Sequence, residues 1–593
     1  MDRSKDKEAI TDDQGQKDLF ASVPQDPFAA APQNPFAAAP ALARLLLGLR
    51  PLSMVYNKAT EGKNPCDFAQ AALGALNVDV NIEGEGLESI PKTGPLLLTA
   101  NHPFGGVEGI AMAAVFGRIR PDLKILVNGM LCRIQELSPF FIPVNVFGGA
   151  EKENIAGVRA AMKHLNSGGA LAMFPSGVVA HWQIRTRRIA EPVWFSLCGR
   201  MARREGVVTV PLHFRGRNSM WFHAAGVIHP LLRTALLPRE LWRMRNKNLN
   251  LVIGKHVESG LLRSLVDDAA RTAHLRAHSE ALGRVATGNE QDFPVPVAKQ
   301  NDPHALLREV ESFYPNATLA KEGRYTVLGI QGYEAPRMLE EIGRLREETF
   351  RQVGEGSGHA RDIDKYDDAY THLVLWDTDQ NQMAGAYRIR CFAPNEAPQA
   401  KKKLYTTSLF QYKKEFFERC GYAMELGRAF VAAPYQRDYV PLMLLWKGIA
   451  QIAMREGIET LFGPCSIGLG YAPESMYMLR QHLRENRWDD DLAALASGRC
   501  EPKNFAGPNT PDVRGLDYKA CNRVVKDLEG DKGLPILFKH YLQLGGKVAA
   551  FHEDHAFGTL DALLVVSMRT IPDKQLIRYL GTEGVEALRA KLA

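Results

Sequence analysis

Five short apolar runs constrain the first half of this chain more than anything else in it: PLLLTA, LKILVN, ALAMFP, VVTVPLHF and NLNLVIG, separated by stretches of helical periodicity. Runs that are apolar along their whole length predict strands buried on both faces, which belong to largely parallel sheets covered by helices. From about residue 41 to 297 the expectation is an α/β layer fold, with its chemistry in the loops that follow the strands. Near AKQNDPH the sequence turns polar, and a linker is expected over 298–310. A different pattern then follows. RMLEEIGRLREETFRQV predicts an amphipathic helix, THLVLWD and MAGAYRIRCF a paired hairpin, AMELGRAFV a further strand, and YVPLMLLWKGIAQIAMREG a helix ended by Gly457. An α+β domain built on an antiparallel sheet is expected over 311–593.

Outside these two regions, residues 1–40 hold the repeat PQDPFAAA/PQNPFAAA, which cannot bury enough surface to order itself. It reads as a flexible tail or as a docking peptide anchored by Phe28 and Phe36. The chain has 593 residues, of which 45% are hydrophobic and 24% charged, the balance of a protein with proper cores. No apolar stretch reaches the roughly 18 residues of a spanning helix. The polar N-terminus resembles no secretory leader, so a cytoplasmic location is expected. Eight cysteines without CxxC pairs or Cys/His clusters predict reduced thiols and no metal.

The stretch TANHPFGGVEGI sets His102 and Glu108 in one Gly-rich loop behind an apolar strand. A general base needs an imidazole held in one tautomer by a carboxylate, and this loop supplies both groups. A turn that happens to contain them is the alternative. In the second domain, Arg346 and Phe350 share a helix, DIDKYD brings Asp364 and Asp367, and Arg388 and ELGR, with Glu425 and Arg428, lie on strands. Taken singly, each charge is more often a solvated surface group.

NHPFGGVEG, FPSG, FRGRNS and LLRTALLPREL resemble the glycerolipid acyltransferases of the lysophosphatidic-acid type, and more closely their aminolipid-making branch, often labelled hemolysin-like. The acid is Glu where the usual motif has Asp, one residue further on. Ser176 stands where a glutamate is usual, and SPFFIPVNVFGG lacks the arginine that grips a phosphate. By this resemblance His102 deprotonates an acceptor hydroxyl and Glu108 holds the imidazolium, with Asn101, Ser176 and the amides of Gly105 and Gly106 as positioning or oxyanion contacts. The missing phosphate contacts imply an acceptor other than a simple lysophosphatidate.

REETF, DKYDDAYTHLVL, GAYRIR, MELGRAFVAAPYQR and LFKHYLQLGGKV resemble the N-acyltransferases that make lyso-ornithine lipid, and more distantly the acyl-homoserine-lactone synthases, both of the GNAT fold. The resemblance implies Glu425 as acceptor of the substrate amine's proton and Arg388 and Arg428 as braces of the acidic network or of the carboxylate. Asp364 and Asp367 would take the cationic end of the amino acid or merely cap a turn, and Arg437 would meet the donor's phosphopantetheine phosphate. The segment 473–507 has no assigned role.

Together the two halves resemble a bifunctional ornithine-lipid synthase: a 3-hydroxyacyl group from acyl carrier protein joins the α-amine of ornithine, and a second acyl chain esterifies its hydroxyl. Glycine, lysine or glutamine could replace ornithine, or the first domain could be a non-catalytic membrane-binding scaffold. No cofactor is implied beyond the acyl-ACP donor. Dense arginines with Trp194, Phe195 and Trp242 suit acidic acyl carrier protein and the inner-membrane lipid surface, and no nucleic-acid-binding module is recognisable.

Overall fold

The computed structural model describes residues 47–60, 64–144, 151–184, 187–284, 295–396, 402–502, 513–530 and 532–593. The tail expected over 1–40 lies outside them. Contacts divide the chain into two compact units, with the boundary at Ser259/Gly260.

The first unit is built on a seven-stranded sheet in the order Asp79–Gly84, Asn248–Ile253, Val208–Arg215, Leu96–Ala100, Ala170–Met173, Lys124–Asn128 and Phe141–Val144. Its neighbours run parallel except Val208–Arg215 beside Asn248–Ile253. Leu96–Ala100 is buried at every position, as its unbroken apolar sequence requires. Leu96 and Leu98 pack with Met112 and Phe116 of the following helix, Val107–Ile119, and with Ile125, Val210 and Leu251 of neighbouring strands. Register aligns Thr99 with both Met173 and Pro211, so three adjacent strands end at one edge of the sheet. The loops carrying NHPFGG, FPSG and RGRNS leave from that edge.

The second unit carries eight strands in the order Thr318–Glu322, Tyr325–Gln331, Thr371–Asp377, Gln382–Phe392, Ala423–Val431, Thr460–Gly468, Thr559–Ser567 and Lys547–Asp554. The expected hairpin is there, Thr371 opposite Ile389. Every pairing is antiparallel except one, Ala423–Val431 beside Thr460–Gly468. That parallel pairing stops at Glu425/Phe462, although both strands continue and stay bonded on their outer edges to Gly385 and Thr559. The sheet therefore opens into a wedge with Glu425 near its apex. Helices Pro336–Arg351 and Val440–Glu456 flank it, the second ended by Gly457 at φ 73°, in the left-handed region glycine favours.

Two stretches differ from the sequence reading. Helix Pro303–Ala317 begins inside the expected linker, Asp302 capping it through the amide of His304. Helix Asp268–Gly283 groups with the second unit, because His274 and His278 bond Asp527 there. The segment 473–502 holds helix Pro473–Arg487 and strand Ala496–Gly498, which pairs with Phe410–Tyr412. All eight cysteines are free. No helix among the described residues is long and apolar enough to cross a membrane.

Two candidate active sites

In the first unit the turn after Leu96–Ala100 folds back because Gly105 adopts φ 110°. Any Cβ there would lie 2.6 Å from Leu237 and 3.1 Å from Val179, so glycine is required for space as well as conformation. The turn brings Glu108, in the first helical turn, under the loop. Its carboxylate is fully buried and accepts from the amides of Phe104 at 2.6 Å and Gly105 at 2.9 Å, while Oε1 lies 3.3 Å from His102 Nδ1. Burial alone would push the Glu108 carboxyl up. The facing imidazole and the Phe104 amide outweigh it and hold the group below its ordinary range. The extra residue between His102 and Glu108 is thus accommodated without separating the pair. His102 stacks on Phe174, ring centroids 4.5 Å apart, and its Nε2 takes no hydrogen-bond partner among the described residues.

The other residues expected around His102 serve the loop itself. Asn101 exchanges both amide bonds with the Phe214 backbone, at 2.7 and 3.0 Å, fastening the loop to the neighbouring strand. The Gly105 amide belongs to Glu108, so it is no free oxyanion donor. Gly106 precedes the helix at φ −126°, outside the left-handed region. Ser176 is buried and its hydroxyl reaches Glu191 and the Val178 carbonyl, both at 3.0 Å. Glu191 escaped the sequence reading. Its carboxylate also accepts from the His102 amide at 2.5 Å and from Trp194 Nε1 at 2.9 Å, tying the histidine's backbone to FPSG. Nothing in RRIAEPVW marks it, because its partners His102 and Ser176 lie outside that stretch. Beside the loop, a cavity of about 230 Å³ is lined by Phe104, Ser219, Glu240, Arg217, Arg243 and Lys247 among others. Glu240 is satisfied by Ser219 and Arg243.

The second unit gathers almost all of its expected residues. Arg346 forms a two-pronged bond to Asp367, 2.9 Å on each side, and also bonds the Asp362 carbonyl. Arg388 reaches Asp364 at 2.7 Å and Asp367 at 3.0 Å, and Arg428 reaches Asp362 at 3.1 Å. Three guanidinium groups thus face three carboxylates, and their charges cancel. Burial would raise the Asp367 carboxyl, but Arg346 and then Arg388 hold it well below the carboxylate range. Asp364 and Asp367 are therefore committed to arginines and offer no spare charge to a cationic substrate. Asp362, the third acid, was missed; it stands in the same DIDKYD stretch.

Aromatic rings continue the network. Arg388 and Arg428 both lie 4.8 Å from the Tyr405 ring, Arg428 also covers Phe557 at 4.5 Å, and Phe557 meets Phe350 edge-on. Glu425 is buried with both oxygens engaged: Tyr370 donates its hydroxyl to one, and the Thr406 amide donates to the other at 2.7 Å. Arg437 is exposed and stays outside this constellation. Two acids that the sequence did not single out stand near Arg428. Burial, reinforced by the charge of Asp561, pushes Glu355 up to about 7, and Arg428 opposes this. Burial likewise lifts Asp561 to about 6 against a bond from Ser466. The Glu355 carboxylate accepts no hydrogen bond among the described residues.

A family model described as an acyltransferase matches residues 55–255, and one described as an acetyltransferase (GNAT) domain matches 345–447. The chain is 31% identical to a lyso-glycine lipid O-acyltransferase of Bacteroides thetaiotaomicron, over 34% of this chain and 75% of that protein. It is 26% identical to a glycine N(alpha)-acyltransferase of Phocaeicola vulgatus, over 42% of this chain and 81% of that one. With an L-ornithine N(alpha)-acyltransferase of Rhizobium meliloti it shares 29% identity, over 41% and 78% respectively.

Proposed function

We propose, for a chain that belongs to the acyltransferase family of the lyso-glycine lipid O-acyltransferases and carries a GNAT domain beside it, that it acylates one amino acid twice. The enzyme is of the acyltransferase class. The second unit joins a 3-hydroxyacyl chain from acyl carrier protein to the α-amine of ornithine, and the first esterifies the new hydroxyl from a second acyl thioester. The observation that carries this reading is the His102–Glu108 pair at the edge where three strands end, joined in one chain to a wedge between parallel strands.

In O-acylation, Glu108 faces Nδ1 and leaves Nε2 to take the acceptor's hydroxyl proton. The oxygen attacks the thioester carbonyl, the thiolate leaves, and the imidazolium returns the proton to it. No covalent acyl-enzyme is needed, and no nucleophile elbow stands in the loop. The cavity with Arg217, Arg243 and Lys247 supports an acceptor whose anion is the amino acid's free carboxylate. In N-acylation the unprotonated amine attacks the thioester carbonyl, its proton passes to a carboxylate, and the C–S bond breaks to release a thiolate that takes the proton back. Glu425 near the wedge apex is one candidate. Glu355 is favoured as a second by its open oxygens and its proton affinity near neutrality. The unpaired inner edges of the wedge suit the amide groups of a pantetheine arm.

Exposed Trp221, Ile228 and Ile184, 79%, 78% and 68% accessible, support work at a lipid surface on the inner face of the cytoplasmic membrane. Glycine is the second reading for the amino acid, favoured by the relatives that carry it in their names. Purified enzyme given 3-hydroxyacyl-ACP and ornithine, glycine, lysine or glutamine in turn decides between them. Ornithine is expected to be consumed fastest; preference for glycine replaces the ornithine reading, and no acylation of any of the four refutes both.

A further inference from the structure

We propose that His274, His278 and Asp527 form a divalent-cation site of zinc type that clamps two helices of the second unit. None of the three belongs to either candidate active site, and the inference does not depend on which lipid the enzyme makes. His274 and His278 stand one turn apart on helix Asp268–Gly283 and so share a face. Asp527 comes from helix Tyr518–Leu528. Both imidazoles turn Nε2 to the same oxygen, Asp527 Oδ2, His274 at 2.9 Å and His278 at 2.6 Å, with the rings edge-on and centroids 4.8 Å apart. His274 is fully buried and His278 nearly so.

The charges around Asp527 suit a bound cation. Among the described residues Asp527 pairs with no lysine or arginine; its only ion-pair partners are the two imidazoles. Arg276, between the histidines in sequence, is directed to Glu280 at 2.7 Å. The carboxylate thus faces two imidazole nitrogens and no permanently charged partner among the described residues. One divalent ion replaces two N–H dipoles by full charge and uses all three inward atoms as ligands.

The donor set selects the ion. Two imidazoles and one carboxylate suit zinc better than calcium or magnesium, which prefer oxygen cages. The three donor atoms lie within 4.8 Å of one another. Zinc bonds of about 2.0–2.2 Å set tetrahedral ligands roughly 3.3 Å apart, so Asp527 Oδ2 draws back from the two imidazoles, now at 2.9 and 2.6 Å, by roughly half an ångström while the imidazole nitrogens adjust from within 4.8 Å of each other. Water fills the fourth position. The sequence shows only part of the site: HLRAH has the H-x3-H spacing of zinc ligands, but the aspartate that completes the set lies far from it in the chain.

The test uses the full chain, stripped with chelator and titrated first with Zn²⁺ and then, in a separate sample, with Co²⁺. One equivalent of Zn²⁺ is expected to bind and to raise the unfolding midpoint, and Co²⁺ to give the visible absorption of a four-coordinate site. Asp527→Asn keeps the size and some of the hydrogen bonding, and is expected to weaken Zn²⁺ binding by at least about 100-fold; His278→Gln should do the same. Failure of the native chain to take up one equivalent overturns the proposal. So does equal uptake by the native and Asp527→Asn chains, which would mark adventitious surface binding. If a variant fails to fold, the stoichiometry and Co²⁺ spectrum of the native chain decide alone.

Discussion

Replacing Glu108 by Gln keeps the loop's shape while removing the charge under His102. The amide oxygen can still accept from Phe104 and Gly105, both of which reach Oε1, at 2.6 and 3.1 Å. Folding stability is expected to fall by only about 1–2 kcal/mol, the difference between charge-assisted and neutral hydrogen bonds. The transition state loses more, because there the imidazole carries a full positive charge. At the 3.3 Å separation of Nδ1 and Oε1, Coulomb attraction at an effective dielectric of about 20 is about 5 kcal/mol. A neutral amide dipole recovers part of that, leaving a loss of about 3–4 kcal/mol, or roughly 100- to 1000-fold in kcat. The assay is thiol release during O-acylation of an N-(3-hydroxyacyl) amino acid, with N-acylation by the same preparation as internal control. KM for the acceptor should stay put. A rate for the Glu108→Gln variant within about threefold of the native enzyme would refute the role given to Glu108, and a parallel loss of N-acylation would show unfolding instead.

Other consequences are open to measurement. Asp367→Asn removes one of three carboxylates balancing three buried arginines, and should cost about 3–5 kcal/mol in denaturant unfolding, a cost under about 1 kcal/mol contradicting the balanced network. If Glu355 accepts the amine's proton, N-acylation rises with pH through about 7 as its raised carboxyl ionises, and Glu355→Gln abolishes both that limb and most of the rate; an unchanged profile leaves Glu425 as the acceptor. Because the folded form holds its proton more tightly than the unfolded one, Glu355 also lowers stability as pH climbs from its ordinary range through about 7, and Glu355→Gln should flatten that slope. Gly105→Ala forces a side chain into φ 110° and onto Leu237, and should suppress O-acylation while N-acylation persists; equal loss of both would point to a defect beyond the loop.

The apolar runs placed five strands of the first sheet, since a strand buried on two faces has few other compositions open to it, but gave no sign of Asp79–Gly84 or Phe141–Val144, and only three of the eight strands of the second sheet were named from sequence. The His102–Glu108 pair was legible because both groups sit in one short loop whose glycines announce a reversal. Glu191 was not, because it meets His102 only after the FPSG loop has folded across. In the second unit the arginines and acids could be named from sequence, yet not who binds whom: that depends on how DIDKYD turns, and the turn commits Asp364 and Asp367 to arginines rather than to substrate. Arg437 was placed at the donor phosphate for its closeness to a helix start, and it lies exposed shortly before helix Val440–Glu456, apart from the buried arginines. Helix Asp268–Gly283 buries polar residues such as His274, Arg276 and His278 beside few large apolar ones, so its sequence does not say which unit it covers.

One measurement bears on the two-step synthesis most directly: the lipid extract of a bacterial host without aminolipids expressing the native chain, His102→Ala and Glu425→Ala/Glu355→Ala. The native chain should yield a diacylated amino-acid lipid, His102→Ala only the mono-N-acylated lyso form, and the double variant neither. Full diacylated yield from His102→Ala, or lyso lipid from the double variant, would contradict the assignment of the two reactions to these two sites.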